Sequence, residues 1–186
     1  RQVGASWATP IVVEAAGKPQ VITLAVPWVM AYDATSGAEL WRVQALEGEI
    51  TPSPIFAGGQ VIVVSPSSKL IAIKPDGSGD VTKTHVAWTV EEGAPDVTSP
   101  VSNGKLLFSV SSGGFLVCFD AKDGKKVWEH DFAVETQASP VIVGDWLLLL
   151  TTKGDVVVCE AGRELKEVSR AKLDDAFFAS PALANG

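Results

Sequence analysis

The chain has 186 residues and carries 22 acidic against 15 basic side chains, which gives a formal net charge of −7. This balance, without any basic patch, argues against nucleic acid as a partner. No apolar stretch approaches the length of a membrane span, and the N-terminus lacks the charged-then-apolar pattern of a signal peptide, as expected for a mature chain or a fragment.

A small hydroxyl residue followed by proline recurs along the chain, and each pair opens a run of short strands. The pairs, 40 to 46 residues apart, are Thr9-Pro10, Ser53-Pro54, Ser99-Pro100, Ser139-Pro140 and Ser180-Pro181. The runs close on Trp41, Trp88 and Trp128, and Val168 stands at the expected fourth place. A strand repeat of this length indicates one supersecondary unit used several times.

The third repeat shows the composition of this unit most clearly. Segments 105–110, 115–119 and 126–129 are rich in β-branched and aromatic residues, and Gly, Asn, Asp and Ser turns separate them. Four antiparallel strands repeated at this interval are typical of a propeller blade. We therefore predict an all-β chain of four-stranded antiparallel blades.

The repeat boundaries predict about four blades in one domain without a linker. They cover residues 5–45, 49–92, 96–132 and 136–172, and residues 178–186 are expected to form the first strand of a further blade. The start of a further blade predicts that this arc is part of a larger propeller. Its open ends would expose two apolar blade faces, so further blades or self-association through the open blade edges would cover them.

Two segments carry a family resemblance: 31–41 and 118–128 share the pattern Ala/Cys-aromatic-Asp-Ala-x-x-Gly-x-x-x-Trp. This pattern resembles the tryptophan-docking repeat of pyrroloquinoline quinone (PQQ) enzymes, of BamB-like outer-membrane assembly lipoproteins and of PQQ-like proteins labelled polyvinyl alcohol dehydrogenases. The resemblance implies that the chain is part of a seven- or eight-bladed propeller. It also implies that each tryptophan docks on the Asp-x-x-x-Gly turn of a neighbouring blade. The structural docking residues would be Trp41, Trp88, Trp128, Asp33, Gly37, Asp120 and Gly124.

The same resemblance leaves three functions open. The first is a non-catalytic scaffold that binds a protein or polysaccharide outside the cytoplasm, in the periplasm or secreted. The second is a PQQ- and calcium-dependent alcohol dehydrogenase, and the third is a BamB-like factor in outer-membrane protein assembly. The chain has no adjacent cysteines and does not match the calcium-and-base residues of quinoprotein dehydrogenases. We therefore assign no catalytic or cofactor-binding residue, and PQQ and calcium stay open as cofactors.

The connections between blades are expected to lie on one face, and every one of them is acidic. They are residues 43–50, 91–97, 131–137 and 171–178. A ring of carboxylates suits Ca²⁺, which prefers six to eight oxygen ligands, and Glu91, Glu92 and Asp96 are the first candidates for a metal site. The alternatives are a solvated rim or the binding of a basic partner.

Two further features are interpreted as structural. Cys118 and Cys159 are placed at the same third-strand position of adjacent blades, too far apart for a disulfide, and we expect two buried thiols. The segment 76–80 resembles half of a calcium loop but lacks the later glutamate, so we expect a glycine-rich surface loop.

Overall fold

The computed structural model describes residues 3–184, and in that range it is built of strands and turns with no helix. The blades are numbered 1 to 4 in chain order. Blade 1 contains β1 (Ile11–Ala15), β2 (Lys18–Ala25), β3 (Trp28–Asp33) and β4 (Glu39–Gln44). Blade 2 contains β5 (Ile55–Ala57), β6 (Gln60–Ser65), β7 (Lys69–Ile73) and β9 (Val86–Val90), with β8 (Gly79–Asp80) between its last two strands. Blade 3 contains β10 (Val101–Ser102), β11 (Leu106–Val110), β12 (Phe115–Asp120) and β13 (Lys126–Asp131). Blade 4 contains β14 (Val141–Val143), β15 (Trp146–Leu150), β16 (Asp155–Glu160) and β17 (Glu167–Lys172).

Each blade is an antiparallel meander in which strands neighbouring in sequence also pair in space. The exception is β8, which leaves blade 2 and pairs in parallel with β4 of blade 1, so that blade 1 has five strands. The predicted all-β architecture of four-stranded antiparallel blades is confirmed.

The hydrophobic core lies between the blades. Three clusters of buried side chains fill the interfaces of blades 1 and 2, 2 and 3, and 3 and 4. Blade 3 shows the alternation behind this: Leu107 and Val117 pack towards blade 2, whereas Phe108 and Leu116 pack towards blade 4. Because an inner blade buries both faces, its central strands are continuous apolar runs.

The recurring hydroxyl-proline pairs form a hydrogen-bonded ladder along the inner strands. In each bond a backbone amide donates to the Oγ of the serine one repeat later. The pairs are Thr9 with Ser53 at 3.0 Å, Ser53 with Ser99 at 2.9 Å, Ser99 with Ser139 at 2.9 Å and Ser139 with Ser180 at 3.0 Å. Each blade is therefore joined to the next through one small side chain. The segment 178–184 has no assigned strand, and residues 185 and 186 lie outside the described range, so a further blade there stays a prediction.

Blade 4 corrects the predicted register of the last repeat. The docking tryptophans Trp41, Trp88 and Trp128 pair with Ala31, Ala72 and Cys118, each beside a bulge. In blade 4 the equivalent pair is Val158 with Ser169, and Val168 is the bulged residue. The turn between the third and fourth strands is one residue longer in blade 4 than in blade 3. The Glu160 amide donates to the Lys166 carbonyl, whereas in blade 3 the Asp120 amide donates to the Lys125 carbonyl. Val168 is therefore not at the docking position.

The same shift corrects the placement of the cysteines. Cys159 lies one position beyond the equivalent of Cys118, and both side chains belong to the core between blades 3 and 4. Both thiols are free and buried, and burial raises the pKa of Cys118 to about 12 and that of Cys159 to about 11. Neither thiol is therefore ionised near neutral pH.

Residues 74–85, here called the blade 2 arm, differ from the surface loop expected at 76–80. Gly79 and Asp80 form β8, and the Val81 amide donates to the Arg42 carbonyl at 3.0 Å. The Gln44 amide also donates to Thr82 Oγ1 at 2.9 Å. The arm thus covers the outer edge of blade 1.

Candidate protein-binding face

Two sets of loops meet on one face of the arc: the connections between blades and the turns between the second and third strands. The Ser67 amide donates to the Pro95 carbonyl at 3.0 Å, and the Thr136 amide donates to the Ser112 carbonyl at 2.9 Å. The Thr152 amide likewise donates to the Glu135 carbonyl at 2.9 Å. Backbone hydrogen bonds therefore hold the loops of neighbouring blades together on this face.

This face, here called the acidic rim, presents carboxylates from all four connections. Eight exposed side chains define it: Glu47, Glu49, Glu91, Glu92, Asp131, Glu135, Asp174 and Asp175. Lys69 lies 3.7 Å from Glu47, and Lys126 lies 3.1 Å from Glu92. Lys153 and Lys172 also line the surface beside Asp174 and Asp175. The eight carboxylates outnumber these four lysines, so the rim carries an excess of negative charge.

The three predicted metal ligands have separate roles in the structure. Asp96 accepts hydrogen bonds from the amide of Ser112, at 2.9 Å, and from its hydroxyl, whereas Glu92 pairs with Lys126. Glu91 is exposed. Across residues 3–184, no group of three or more His, Cys, Asp or Glu side chains is placed to hold a metal ion. The calcium hypothesis stays a prediction.

Asp96 joins two loops of the rim. Burial would raise the pKa of its carboxyl, but hydrogen bonds from Ser112 and from nearby backbone amides outweigh burial and bring the pKa below its usual value. The charged form of Asp96 is therefore the one that holds the turn of blade 3 against the connection from blade 2.

The predicted docking residue Trp41 is fully buried between blades 1 and 2. Its Nε1 donates to Gln20 Oε1 at 2.9 Å, and Gln20 Nε2 donates to the carbonyl of Pro75 at 3.0 Å. Gln20 is itself only 1% exposed. The tryptophan of blade 1 is thus linked through one glutamine to the arm of blade 2.

Trp88 and Trp128 contact the corresponding turn of the next blade directly. A Cβ at Gly124 would lie 2.8 Å from the ring of Trp88, so Gly124 leaves room for that ring. Trp128 Nε1 donates to the Gly162 carbonyl of blade 4 at 3.1 Å. Each tryptophan therefore packs on the blade that follows it in sequence.

Asp33 and Asp120 build the same turn in blades 1 and 3. Asp33 Oδ1 accepts from the amides of Thr35 and Ser36 at 3.0 and 2.9 Å, and these backbone bonds lower the pKa of Asp33. Asp120 Oδ1 accepts from the Lys122 amide at 3.1 Å. Gly37 and Gly124 close the two turns at φ of 70° and 72°. A Cβ at Gly37 would meet no atom of residues 3–184 within 4 Å, unlike one at Gly124.

Sequence reasoning did not identify the glutamines of the docking device. Gln20 and Gln60 occupy equivalent positions, two residues before Ile22 and Ile62, which pair with Ala31 and Ala72. Gln60 Nε2 donates to the Lys122 carbonyl at 2.9 Å, across to blade 3. Within residues 3–184, buried Gln60 Oε1 and Trp88 Nε1 have no hydrogen-bond partner. The recurrence of a glutamine near the start of the second strand, in blades 1 and 2, was the sequence signal that could have identified them.

A groove of about 400 Å³ opens between blades 2 and 3, beside the acidic rim. We call it the 2/3 groove. Its walls combine apolar and charged side chains, from Glu92, Gly93, Phe115, Val117, Lys126 and Glu129. Phe115 is 37% exposed and supplies apolar surface, and Lys126 Nζ lies 2.8 Å from Glu129 and 3.1 Å from Glu92.

No helix in residues 3–184 is long and apolar enough to span a membrane.

Among solved structures, the chain resembles BamB from Moraxella catarrhalis with a TM-score of 0.63. The match covers 91% of this chain and 50% of that one at 16% identity, so it shows the fold alone.

Curated relatives carry the description "Outer membrane protein assembly factor BamB". The protein of Bordetella pertussis is 28% identical over 166 residues, 83% of this chain and 42% of that protein. The protein of Burkholderia pseudomallei is 29% identical over 133 residues, 63% of this chain and 35% of that protein. The chain thus spans less than half the length of these relatives.

A family model described as outer membrane protein assembly factor BamB matches residues 6–99 and 27–172. The repeat resemblance is confirmed: the chain belongs to this family of PQQ-like propellers.

Proposed function

We propose that the chain is a non-catalytic propeller scaffold in outer-membrane protein assembly, acting in the periplasm through contacts with a protein partner. The periplasmic location follows from the process named for the relatives. The observation that carries the proposal is the acidic rim, in which four successive connections present eight exposed carboxylates on one face. Such a surface favours a partner with a basic patch, because complementary charge speeds and orients association.

The polar residues around the rim support a structural role. Asp96 is engaged by Ser112, Thr152 bonds to the backbone of Glu135, and Glu92 is paired with Lys126. These contacts fix the loops and leave the outward carboxylates in solvent. A rigid, charged and solvated face is suited to docking a folded partner.

The test measures association with purified outer-membrane assembly machinery from a strain deleted for its own member of this family. The rim variant combines Glu49→Lys, Glu135→Lys and Asp174→Lys, three exposed residues of the rim. We expect at least about tenfold weaker binding than for the parent, and parent binding that falls as salt rises.

A matched control reverses three exposed charges on the opposite face, with Glu14→Lys, Asp145→Lys and Glu164→Lys. This variant has the same net charge as the rim variant and should bind like the parent. Equal losses in both variants would show that net charge, not the rim, governs binding. Saturable, calcium-dependent quenching of tryptophan fluorescence by PQQ would argue against the scaffold and for the dehydrogenase alternative.

A further inference from the structure

The four outer strands differ in how their free edges are protected. An exposed edge can pair with another chain, and proteins usually block such edges with charged side chains or cover them. In blade 1, β8 covers β4. Strands β13 and β17 end their sheets and carry charges at Lys126, Glu129, Asp131, Glu167, Arg170 and Lys172. Strand β9 also ends its sheet, yet Val86–Val90 contains no charged residue.

The contrast is sharpest at the position that follows the docking residue. The register places Arg42, Glu129 and Arg170 there, paired with the third strands of blades 1, 3 and 4. In blade 2 the same position is Thr89, paired with Ile71 and exposed. Three blades therefore carry a charge where β9 carries a β-branched hydroxyl residue, a type that favours strand pairing.

The 2/3 groove lies directly beyond the C-terminal end of β9, because Glu92 and Gly93 follow Val90 by two and three residues. Phe115, which is 37% exposed, supplies its apolar surface, and the buried Val117 lies beneath it. Lys126 stands between two carboxylates, those of Glu92 and Glu129. One additional cation would balance these charges, so the groove suits the aliphatic stem and positive end of a lysine or arginine.

From these observations we infer that the free edge of β9 binds an extended polypeptide segment as an added antiparallel strand. The segment has an uncharged, β-branched centre that pairs with β9 and a basic residue near its N-terminal end that occupies the 2/3 groove. Antiparallel pairing places the N-terminal end of the added strand beside the C-terminal end of β9, where the groove opens. Main-chain hydrogen bonds supply the affinity, as in other cases of strand addition. This site goes beyond the proposed function and shares only Glu92 with the acidic rim, a residue that the rim variant leaves unchanged.

The probe is a ten-residue synthetic peptide, capped at both ends, with lysine at its second position followed by alternating valine and threonine. Titration into the ¹⁵N-labelled chain is followed by amide chemical shifts and by hydrogen exchange. We expect shift changes concentrated on β9 and the loop that follows it, with slower exchange of β9 amides. Binding should persist at high salt, unlike association through the rim, because backbone hydrogen bonds carry it.

The deciding variant is Thr89→Arg, which gives β9 the charge that blades 1 and 4 carry at this position. In blade 1 the added strand β8 matches the arginine at this position with Asp80, whereas the peptide has no carboxylate to do so. Thr89→Arg should therefore weaken peptide binding at least about tenfold, whereas Thr89→Val should bind like the parent. Circular dichroism checks that both variants stay folded, and the rim variant should bind the peptide normally. Unchanged binding by Thr89→Arg, shift changes away from β9, or no binding by the parent would overturn the inference. Equal binding of the reversed peptide would overturn its antiparallel orientation.

Discussion

The outer strands of blades 1 and 4 are equivalent in position and opposite in environment. In β4 the docking residue Trp41 is fully buried, bonded to Gln20 and covered by the arm of blade 2. In β17 all six residues are exposed, and the docking position holds Ser169. Both strands nevertheless pair regularly with the third strand of their own sheet.

The difference shows that a strand can pair within its own sheet without a buried docking residue. Strand pairing needs only the residues of one blade, whereas burial of the docking tryptophan needs the following blade to supply a turn, an arm or a carbonyl. Stability should therefore be concentrated at the contacts between blades, as nearest-neighbour models of repeat proteins describe.

The largest effect should come from removing the buried tryptophan of blade 1. Trp41→Ala deletes a fully buried ring and should lower the free energy of unfolding by about 3 to 5 kcal/mol in urea titrations. Ser169→Ala, at the same position of blade 4, should change it by less than about 0.5 kcal/mol. Similar losses in the two variants would contradict the separation of pairing from docking.

Gly124 and Gly37 allow the contact between blades to be measured apart from backbone strain. Both have positive φ, so alanine at either site incurs a strain of about 1 to 2 kcal/mol. Only at Gly124 would the added Cβ also meet Trp88, at 2.8 Å. Gly124→Ala should therefore destabilise the chain by about 1 to 3 kcal/mol more than Gly37→Ala in thermal or urea unfolding. Equal effects would mean that Trp88 moves aside freely.

The repeat and the strands of each blade could be predicted from the sequence because their signals are local. Turn residues, alternating β-branched runs and hydroxyl-proline pairs all act within a few positions of the chain. Even so, the serine ladder, which accounts for the recurring serine, joins residues of different blades and emerged only from the structure. The prediction that Val168 takes the docking position of blade 4 was wrong for a local reason. One additional residue in the preceding turn places Ser169 at that position instead.

The site was harder to predict because it depends on contacts between blades. Sequence placed the acidic connections on one face, but it gave no sign that Ser112 engages Asp96 or that Lys126 lies beside Glu92. It also gave no reason to expect that segment 76–80 would send β8 to blade 1. Each of these contacts joins positions far apart in the chain, so no local pattern encodes it.

The two docking glutamines provide a finer comparison between blades. Gln20→Ala leaves Trp41 Nε1 and the Pro75 carbonyl without a partner inside the structure, and should cost about 1 to 3 kcal/mol. Gln60→Ala removes one exposed bond to Lys122 and should cost about 1 kcal/mol or less. Urea unfolding of both variants tests the order. A larger loss for Gln60→Ala would indicate that Gln60 and Trp88 pair in solution as Gln20 and Trp41 do.

A smaller effect is expected from the contacts that join the rim loops, and for the Asp96–Ser112 contact of blade 3 it depends on pH. Asp96 holds Ser112 with its carboxylate, whereas in blade 4 the backbone carbonyl of Glu135 holds Thr152. The pKa of Asp96 is lowered, so its contribution is present above the usual carboxyl pKa and is lost as pH falls through the lowered value. Asp96→Asn should therefore cost about 1 kcal/mol at neutral pH, and progressively less as pH falls below the usual carboxyl pKa, by urea unfolding. Glu135→Gln is the control and should leave stability unchanged over the same pH range.

The smallest effect should come from restoring the tryptophan where the fourth repeat lacks it. Ser169→Trp recreates the docking residue in β17, but the strand is exposed along its whole length. The added ring should change the free energy of unfolding by less than about 0.5 kcal/mol, because within residues 3–184 β17 is exposed at every position. Urea unfolding and the emission maximum of the new tryptophan provide the measurement, with a solvent-exposed spectrum expected. A clear gain in stability with a blue-shifted spectrum would show that a docking tryptophan can be buried by its own blade, and the distinction between pairing and docking would then fail.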